Sequence, residues 1–476
     1  MDGLPPPVVL ALSTALPVRH AAMLARASRR LEKISRRAVE VHVLTRAGDA
    51  AVGFRDEPAL ARVALPVGVV AVAPNVFGNC ESLFGIDVPE TVTEIVARAF
   101  ENCSALRSVP LPAGVVRIGE GAFRACPNLV EAPLPAALRA VDRGAFEDCS
   151  SLARVALPRG LASVGVRAFA SCSSLAAVEF PASLDDVGAL AFANCTSLRS
   201  FAPAPADGPA SAFAPGPPAA VGAHAFAFCA SLVSATLPAR VSVVETCAFY
   251  RCAALESVHL PRALRRVGDG AFKGCSSLTR VRLPPDVAAV GAGAFSGCAA
   301  LAAVVMPTTR AFDVLRDGVF EDCASLVSVV VTNSVRVVFD RAFAGCTALA
   351  SLTLPRDLAY ICEGAFKNCS ALTRVEFPPL LQIIGEEAFA GCTALASLTL
   401  PRDLAYIWKG AFENCSALTR VEFPPLLQII GDEAFAGCTA LDAGRAREQC
   451  ADGAVSVGRD AFRGCRAPSS PSARDP

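Results

Sequence analysis

The chain has one tryptophan, three tyrosines and four histidines in 476 residues, and four lysines against 40 arginines. So few rings leave little for an aromatic recognition cage. The four histidines, His20, His42, His224 and His259, form no metal-binding or base constellation, and no Ser-His-Asp or Cys-His arrangement can be built from them. No Cys-x-x-C occurs among the 20 cysteines, which excludes a structural zinc site of the common spacing. The formal net charge is +0, so no overall field draws a nucleic acid or another polyanion. Charged residues make up only 18% and hydrophobic residues 53%, which excludes wholesale disorder. One uncharged run, Val287–Met306, is long enough to mimic a membrane span. It carries Phe295, Cys298 and Leu301, whose spacing belongs to a different pattern.

That pattern is a repeat. Cysteine recurs every 23 residues from Cys80 to Cys195, resumes from Cys229 to Cys298 and again from Cys323 to Cys438, and ends at Cys465. The three irregular gaps are insertions of 11, 2 and 4 residues into one frame. Each of these 17 cysteines has a phenylalanine three residues earlier, and Phe54 with Glu57 extends the frame to 18 units. The unit reads A-F-x-x-C-x-x-L-x-x-V-x-L-P-x-x-L-x-x-I-G-x-x. One copy supplies Ala99, Phe100, Cys103, Leu106, Val109, Leu111, Pro112, Val115, Ile118 and Gly119. The L-x-x-V-x-L stretch alternates before a proline, as a short strand with one buried face does. The i, i+3 spacing of A-F-x-x-C predicts one helical turn. Asn, Gly or Asp precedes the cysteine slot in 14 of 18 units, which predicts a left-handed residue there.

No single unit can bury its own Phe, Cys, Leu and Val, but stacking in register gives neighbours one shared core. At about 4.8 Å per parallel strand, the units would make a rod or arc on the order of 85 Å long. The expected fold is an α/β repeat solenoid of short parallel strands and short helical turns. Over residues 54–465 the pattern resembles the BspA-like leucine-rich repeat family. That resemblance implies a right-handed solenoid that binds other proteins and carries no catalytic site, cofactor or metal. A surface adhesin is one form such proteins take.

The frame absorbs several apparent motifs. The in-phase cysteines fit a small apolar core slot. Only Cys247, Cys362 and Cys450 fall out of phase, and a ladder of thiols fits a reducing, intracellular and cytoplasmic setting. The Gly-x-Gly pairs Gly119–Gly121, Gly268–Gly270 and Gly291–Gly293 are repeat positions, without the further glycines of a phosphate loop. The Asn-Cys-Ser/Thr sequons at Asn102, Asn194, Asn368 and Asn414 arise from the same frame. Residues 342–387 and 388–433 differ at four positions: Cys362/Trp408, Glu363/Lys409, Lys367/Glu413 and Glu386/Asp432. Glu363 and Lys367 exchange signs together, as an i,i+4 pair would. Growth by whole units suits an extendable binding surface.

Three segments stand apart. Residues 199–221 hold the 11-residue insertion, rich in Pro, Ala and Gly, and read as a surface loop. The frame decays into a charged stretch ending near Arg447, as a polar cap would, and 466–476 read as a disordered tail. Residues 1–46 lie outside the repeat, with eight Lys/Arg and three Asp/Glu. Their apolar run Val8–Leu16 is short for a signal peptide. Leu4-Pro5, Val8, Leu12, Leu16-Pro17, Leu24 and Ser28-Arg29-Arg30 resemble an F-box, although Pro6 and Pro7 replace its acidic residue and Leu31 its tryptophan. A plain N-terminal cap and a transit peptide are the other readings of this segment. The F-box resemblance implies a substrate-recognition subunit that docks a ubiquitin-ligase adaptor through 1–46.

The expected function is therefore a non-enzymatic protein-interaction scaffold with no nucleic-acid partner and no membrane span. In L-x-x-V-x-L the residues flanking the buried Val point outward. The candidate partner-binding residues are His259, Arg280, Arg282, Arg374, Glu376, Arg420 and Glu422, a stripe of mixed sign that suits a protein better than a phosphate backbone.

Overall fold

The structure, a computed structural model, describes residues 39–42, 54–65, 67–181, 183–184, 186–203, 219–331, 334–450 and 453–467. The chain divides into two compact units, Met1–Leu232 and Val233–Pro476. Each is a parallel β-solenoid whose turns recur about every 23 residues, with two strand ladders per unit.

In the second unit, the L-x-x-V-x-L segments form the first ladder. Ser234–Thr236, Ser257–His259, Arg280–Arg282 and Ala303–Val305 pair in parallel, each with the next. Ser328–Val330, Ser351–Thr353, Arg374–Glu376, Ser397–Thr399 and Arg420–Glu422 continue it. The two-residue steps before the glycine slot form the second ladder. It stops after Ala289–Val290 and restarts at Val314–Leu315, where the two-residue insertion falls. The first unit repeats the plan, from Arg154–Ala156 through Ser200–Pro203 on one ladder and from Ala71–Val72 through Ala219–Val221 on the other. Val39–His42 adds a parallel strand beside Leu60–Ala64. The F-box-like residues quoted from 4 to 31, and 204–218 of the insertion, lie outside the described residues.

The in-phase residues are the core. Phe100, Cys103, Leu106, Val115 and Ile118 are fully buried, and the same slots are closed in turn after turn. The phenylalanines stack along each unit, with ring centroids 5.2 Å apart for Phe100–Phe123 and 5.3 Å for Phe272–Phe295, near the strand spacing.

The A-F-x-x-C segment is a turn, not a helix, so the helical component expected from its spacing is small. Its backbone donors explain why. A helical N–H bonds four residues back. Here Phe100 N donates to Ala122 O at 2.8 Å and Asn102 N to Arg124 O at 2.8 Å, both in the next turn of the solenoid. The i,i+4 pairing expected for Glu363 and Lys367 fails for the same reason, and Lys367 instead bridges Glu387 of the following turn. Among the described residues of the second unit, an α-helix, Ala443–Glu448, lies in the charged stretch near the C-terminus, with Asp442 as its N-cap. Just beyond it, Gln449 closes the ladder: its amide donates to Val421 O and accepts from Phe423 N, satisfying an edge strand.

The left-handed residue before the cysteine slot occurs in all 18 units, including Ala125, Ser171, Phe228 and Arg251, where the residue type is unfavourable. A second left-handed slot, two residues before each phenylalanine, recurs from Asn75 to Asp460. The pair Gly268–Gly270 serves both demands of this corner. A Cβ on Gly268 would sit 2.6 Å from Thr246 N in the preceding turn, and Gly270 has φ +57°. Val287–Met306 contains two short strands joined by turns. Among the described residues, no helix is long and apolar enough to cross a membrane.

Candidate binding surface

The cysteine slot is an interior feature with its own chemistry. Each thiol lies against the turn before it: Cys103 Sγ donates to Phe77 O at 3.1 Å, Cys126 to Phe100 O at 3.1 Å and Cys392 to Phe366 O at 3.3 Å. The bond adds a second donor to a corner carbonyl that already accepts a backbone N–H of its own turn, as Phe77 O does from Cys80 N at 3.3 Å. The repeat spacing gave the burial of these cysteines but no sign of this bond. Burial pushes Cys149, Cys195 and Cys298 up to about 12, so the ladder is protonated at neutral pH. All the cysteines are unbridged. Among the described residues, no three His, Cys, Asp or Glu side chains converge as a metal site would require.

Surface chemistry therefore falls to the outward slots. On the first ladder the strands show an exposed–buried–exposed pattern at Arg280–Arg282, Arg374–Glu376 and Arg420–Glu422. His259 is exposed at the end of its strand. The seven residues singled out from the sequence separate into two groups along the ladder. His259, Arg280 and Arg282 lie on adjacent strands, and neither arginine makes an ion pair among the described residues. Arg374 and Arg420 are committed within their own strands. Arg374 Nη2 stands 2.9 Å from Glu376 Oε1, and Arg420 pairs with Glu422. Between the groups the same slots carry Val305 and Val330, 52% and 66% exposed, apolar residues that a reading by charge passes over. Their signal was present: a valine in an outward slot. The face thus runs from basic, through apolar, to paired charges separated by Ser397 and Thr399.

The glycine-slot ladder has outward positions too. From Val314 onward these hold Val337, Tyr360, Ile383, Tyr406 and Ile429 in direct register.

Stacked short parallel strands, a Leu/Val/Ile/Phe interior and side chains presented only at outward slots define a leucine-rich repeat protein. The model of the BspA type leucine rich repeat region matches residues 70–199, 219–350 and 313–442, and the chain belongs to that family. Among solved structures, a leucine-rich repeat protein from Bacteroides ovatus is similar at 25% identity and a TM-score of 0.55, over 84% of this chain and 92% of that one. A leucine rich cell surface protein from Faecalibacterium prausnitzii is 26% identical over 66% of this chain and 87% of that one, with a TM-score of 0.38. No curated protein matches the chain.

Proposed function

We propose that the chain is a non-enzymatic scaffold that holds a protein partner on the outward slots of its first ladder. The observation that carries this reading is the exposed row itself. Rigid strands place unpaired arginines at Arg280 and Arg282, exposed Val305 and Val330, and the ion-paired ends Arg374–Glu376 and Arg420–Glu422 on one ladder. Mixed charge around an apolar centre is the anatomy of a protein interface. The protonated, unbridged thiols favour a reducing, intracellular compartment over a cell surface, where an adhesin would work.

The finer reading is a substrate-recognition subunit of a ubiquitin ligase, and it stands on Leu4-Pro5, Leu16-Pro17 and Ser28-Arg29-Arg30. Affinity capture with the full chain and with a variant lacking residues 1–46 separates the two. The scaffold reading expects the same partner in both captures. The ligase reading expects cullin-type components with the full chain only. If no protein is recovered stoichiometrically with either, the scaffold reading fails.

A further inference from the structure

The second ladder changes character where it restarts. Before the restart its outward slots mix small and polar residues, Ala71, Glu94, Arg117, Ala140, Ser163, Asp186 and Ala220 in the first unit and Val243, Arg266 and Ala289 in the second, with no aromatic residue. From the restart they hold Val314, Val337, Tyr360, Ile383, Tyr406 and Ile429, six turns with no polar interruption other than the tyrosine hydroxyls. Two residues further along, Phe339 and Trp408 are 37% and 40% exposed. Trp408 stacks on Tyr406 at 6.0 Å, so the only tryptophan and two of the three tyrosines of the chain share this stripe. Gly385 and Gly431 occupy the same slot as Trp408 in adjacent turns.

One edge of the stripe is a column of carboxylates: Asp317, Asp340, Glu363, Glu386 and Asp432, all exposed. Asp340 and Asp432 accept backbone N–H groups of the next turn, from Glu363 and Arg459. None of the five makes an ion pair among the described residues, although Glu376, Glu387, Glu422 and Glu433 of the same unit do. Three cations face these carboxylates: Arg316 in the Phe339/Trp408 column, Lys409 between Glu386 and Asp432, and the exposed Arg336 on the opposite edge, where Asp313 precedes it by one turn. The opposite edge carries Gln382 and Gln428, which accept from the Tyr360 and Tyr406 hydroxyls.

We propose that this face, over residues 314–432, docks a protein segment that sets apolar side chains beside arginines or lysines. Val314, Val337, Ile383, Tyr406 and Ile429 are half-buried, and Phe339, Tyr360 and Trp408 are exposed, so the stripe leaves apolar and aromatic surface uncovered, as an interaction site does. The unneutralised carboxylates fix the sign of the partner, and tyrosine and tryptophan faces accept a guanidinium above them. A second copy on the same face would bring a second column of carboxylates to the interface and is disfavoured. Six strands at about 4.8 Å span about 24 Å, the length of a helix of about 16 residues. The proposal rests on the protein-binding reading but uses a different face from the Arg280–Glu422 row.

The repeat supplies variants that fold. Gly385 and Gly431 license Trp408→Gly, Ser456 licenses Tyr406→Ser, and Lys409 licenses Glu363→Lys. The test is an array of 15-residue synthetic peptides in which Arg/Lys content and Leu/Phe content vary independently, probed with the full chain. The best binder, labelled with fluorescein, is then titrated by anisotropy. We expect binding only where both contents are high, a shift of Trp408 emission on binding, and at least tenfold weaker binding for Tyr406→Ser/Trp408→Gly and for Glu363→Lys/Glu386→Lys at unchanged melting midpoints. Reversing Arg280, Arg282, Arg374 and Arg420 should leave this binding intact. Binding that follows one content alone, survives either double variant or is absent from the array overturns the proposal. So does dimerisation through this face, read as a concentration-dependent shift of Trp408 emission without peptide. Partner capture that persists while the peptides fail would overturn this docking face and leave the scaffold reading standing.

Discussion

Raising the pH above about 9 should unfold the chain over a narrow interval, because the interior is lined with thiols that resist ionisation. Burial raises Cys149, Cys195, Cys298, Cys346 and Cys392 from 9.0 to about 12. In the unfolded chain these thiols ionise near 9, while in the folded chain they keep their protons to about 12. The unfolded state is then the one that binds fewer protons, so stability is fully present below pH 9 and drains away as the pH rises toward 12. Each thiol removes about 1.4 kcal/mol per pH unit in that window, and five together remove about 7 kcal/mol per unit. Summed over the window from 9 to 12, that exceeds the roughly 5–15 kcal/mol that holds a typical domain folded. Circular dichroism and thiolate absorbance, followed together against pH, should change in one step. Thiolate appearing while the dichroism stays native would mean that the ladder is open to solvent.

Replacing Phe272 with alanine should cost about 3–5 kcal/mol, the range for removing a buried aromatic side chain. The ring is fully buried and stacks on Phe249 at 5.0 Å and Phe295 at 5.3 Å, so the cavity is lined by two other rings that cannot collapse into it. In a solenoid each turn touches mainly its neighbours, so the loss should be local. Hydrogen exchange is expected to speed up first in the turns carrying Phe249, Phe272 and Phe295. A guanidinium unfolding curve identical to that of the native chain would contradict the register.

Much of this architecture is legible in the sequence because one chemical demand repeats. The Phe, Cys, Leu and Val phases predict the core, and Asn102, Asp148 and Gly274 betray the left-handed corner. The corner's true form is not legible. An i, i+3 spacing fits a helical turn and a β-solenoid corner equally well, and only the destination of the Phe100 and Asn102 N–H groups decides between them. The thiol-to-carbonyl bond is invisible for a related reason, since its acceptor, such as Phe77 O for Cys103, lies 26 residues away. On the surface, the charged row from His259 to Glu422 follows from period-two alternation over a long enough strand. The stripe from Val314 to Ile429 does not, because two-residue strands are too short to show which neighbour of the buried Ile or Val faces out. The i,i+4 reading of Glu363 and Lys367 fails because it assumes a helix the backbone does not form.

The scaffold account is tested most directly by reversing the four arginines of the first ladder, Arg280, Arg282, Arg374 and Arg420, to glutamate and measuring partner capture and the melting midpoint on one preparation. These side chains are exposed, and ion pairs such as Arg374–Glu376, 74% and 77% exposed, contribute little to stability. The account predicts an unchanged melting midpoint with capture weakened at least tenfold. Full capture by the reversed chain would contradict it and move the binding surface off this face.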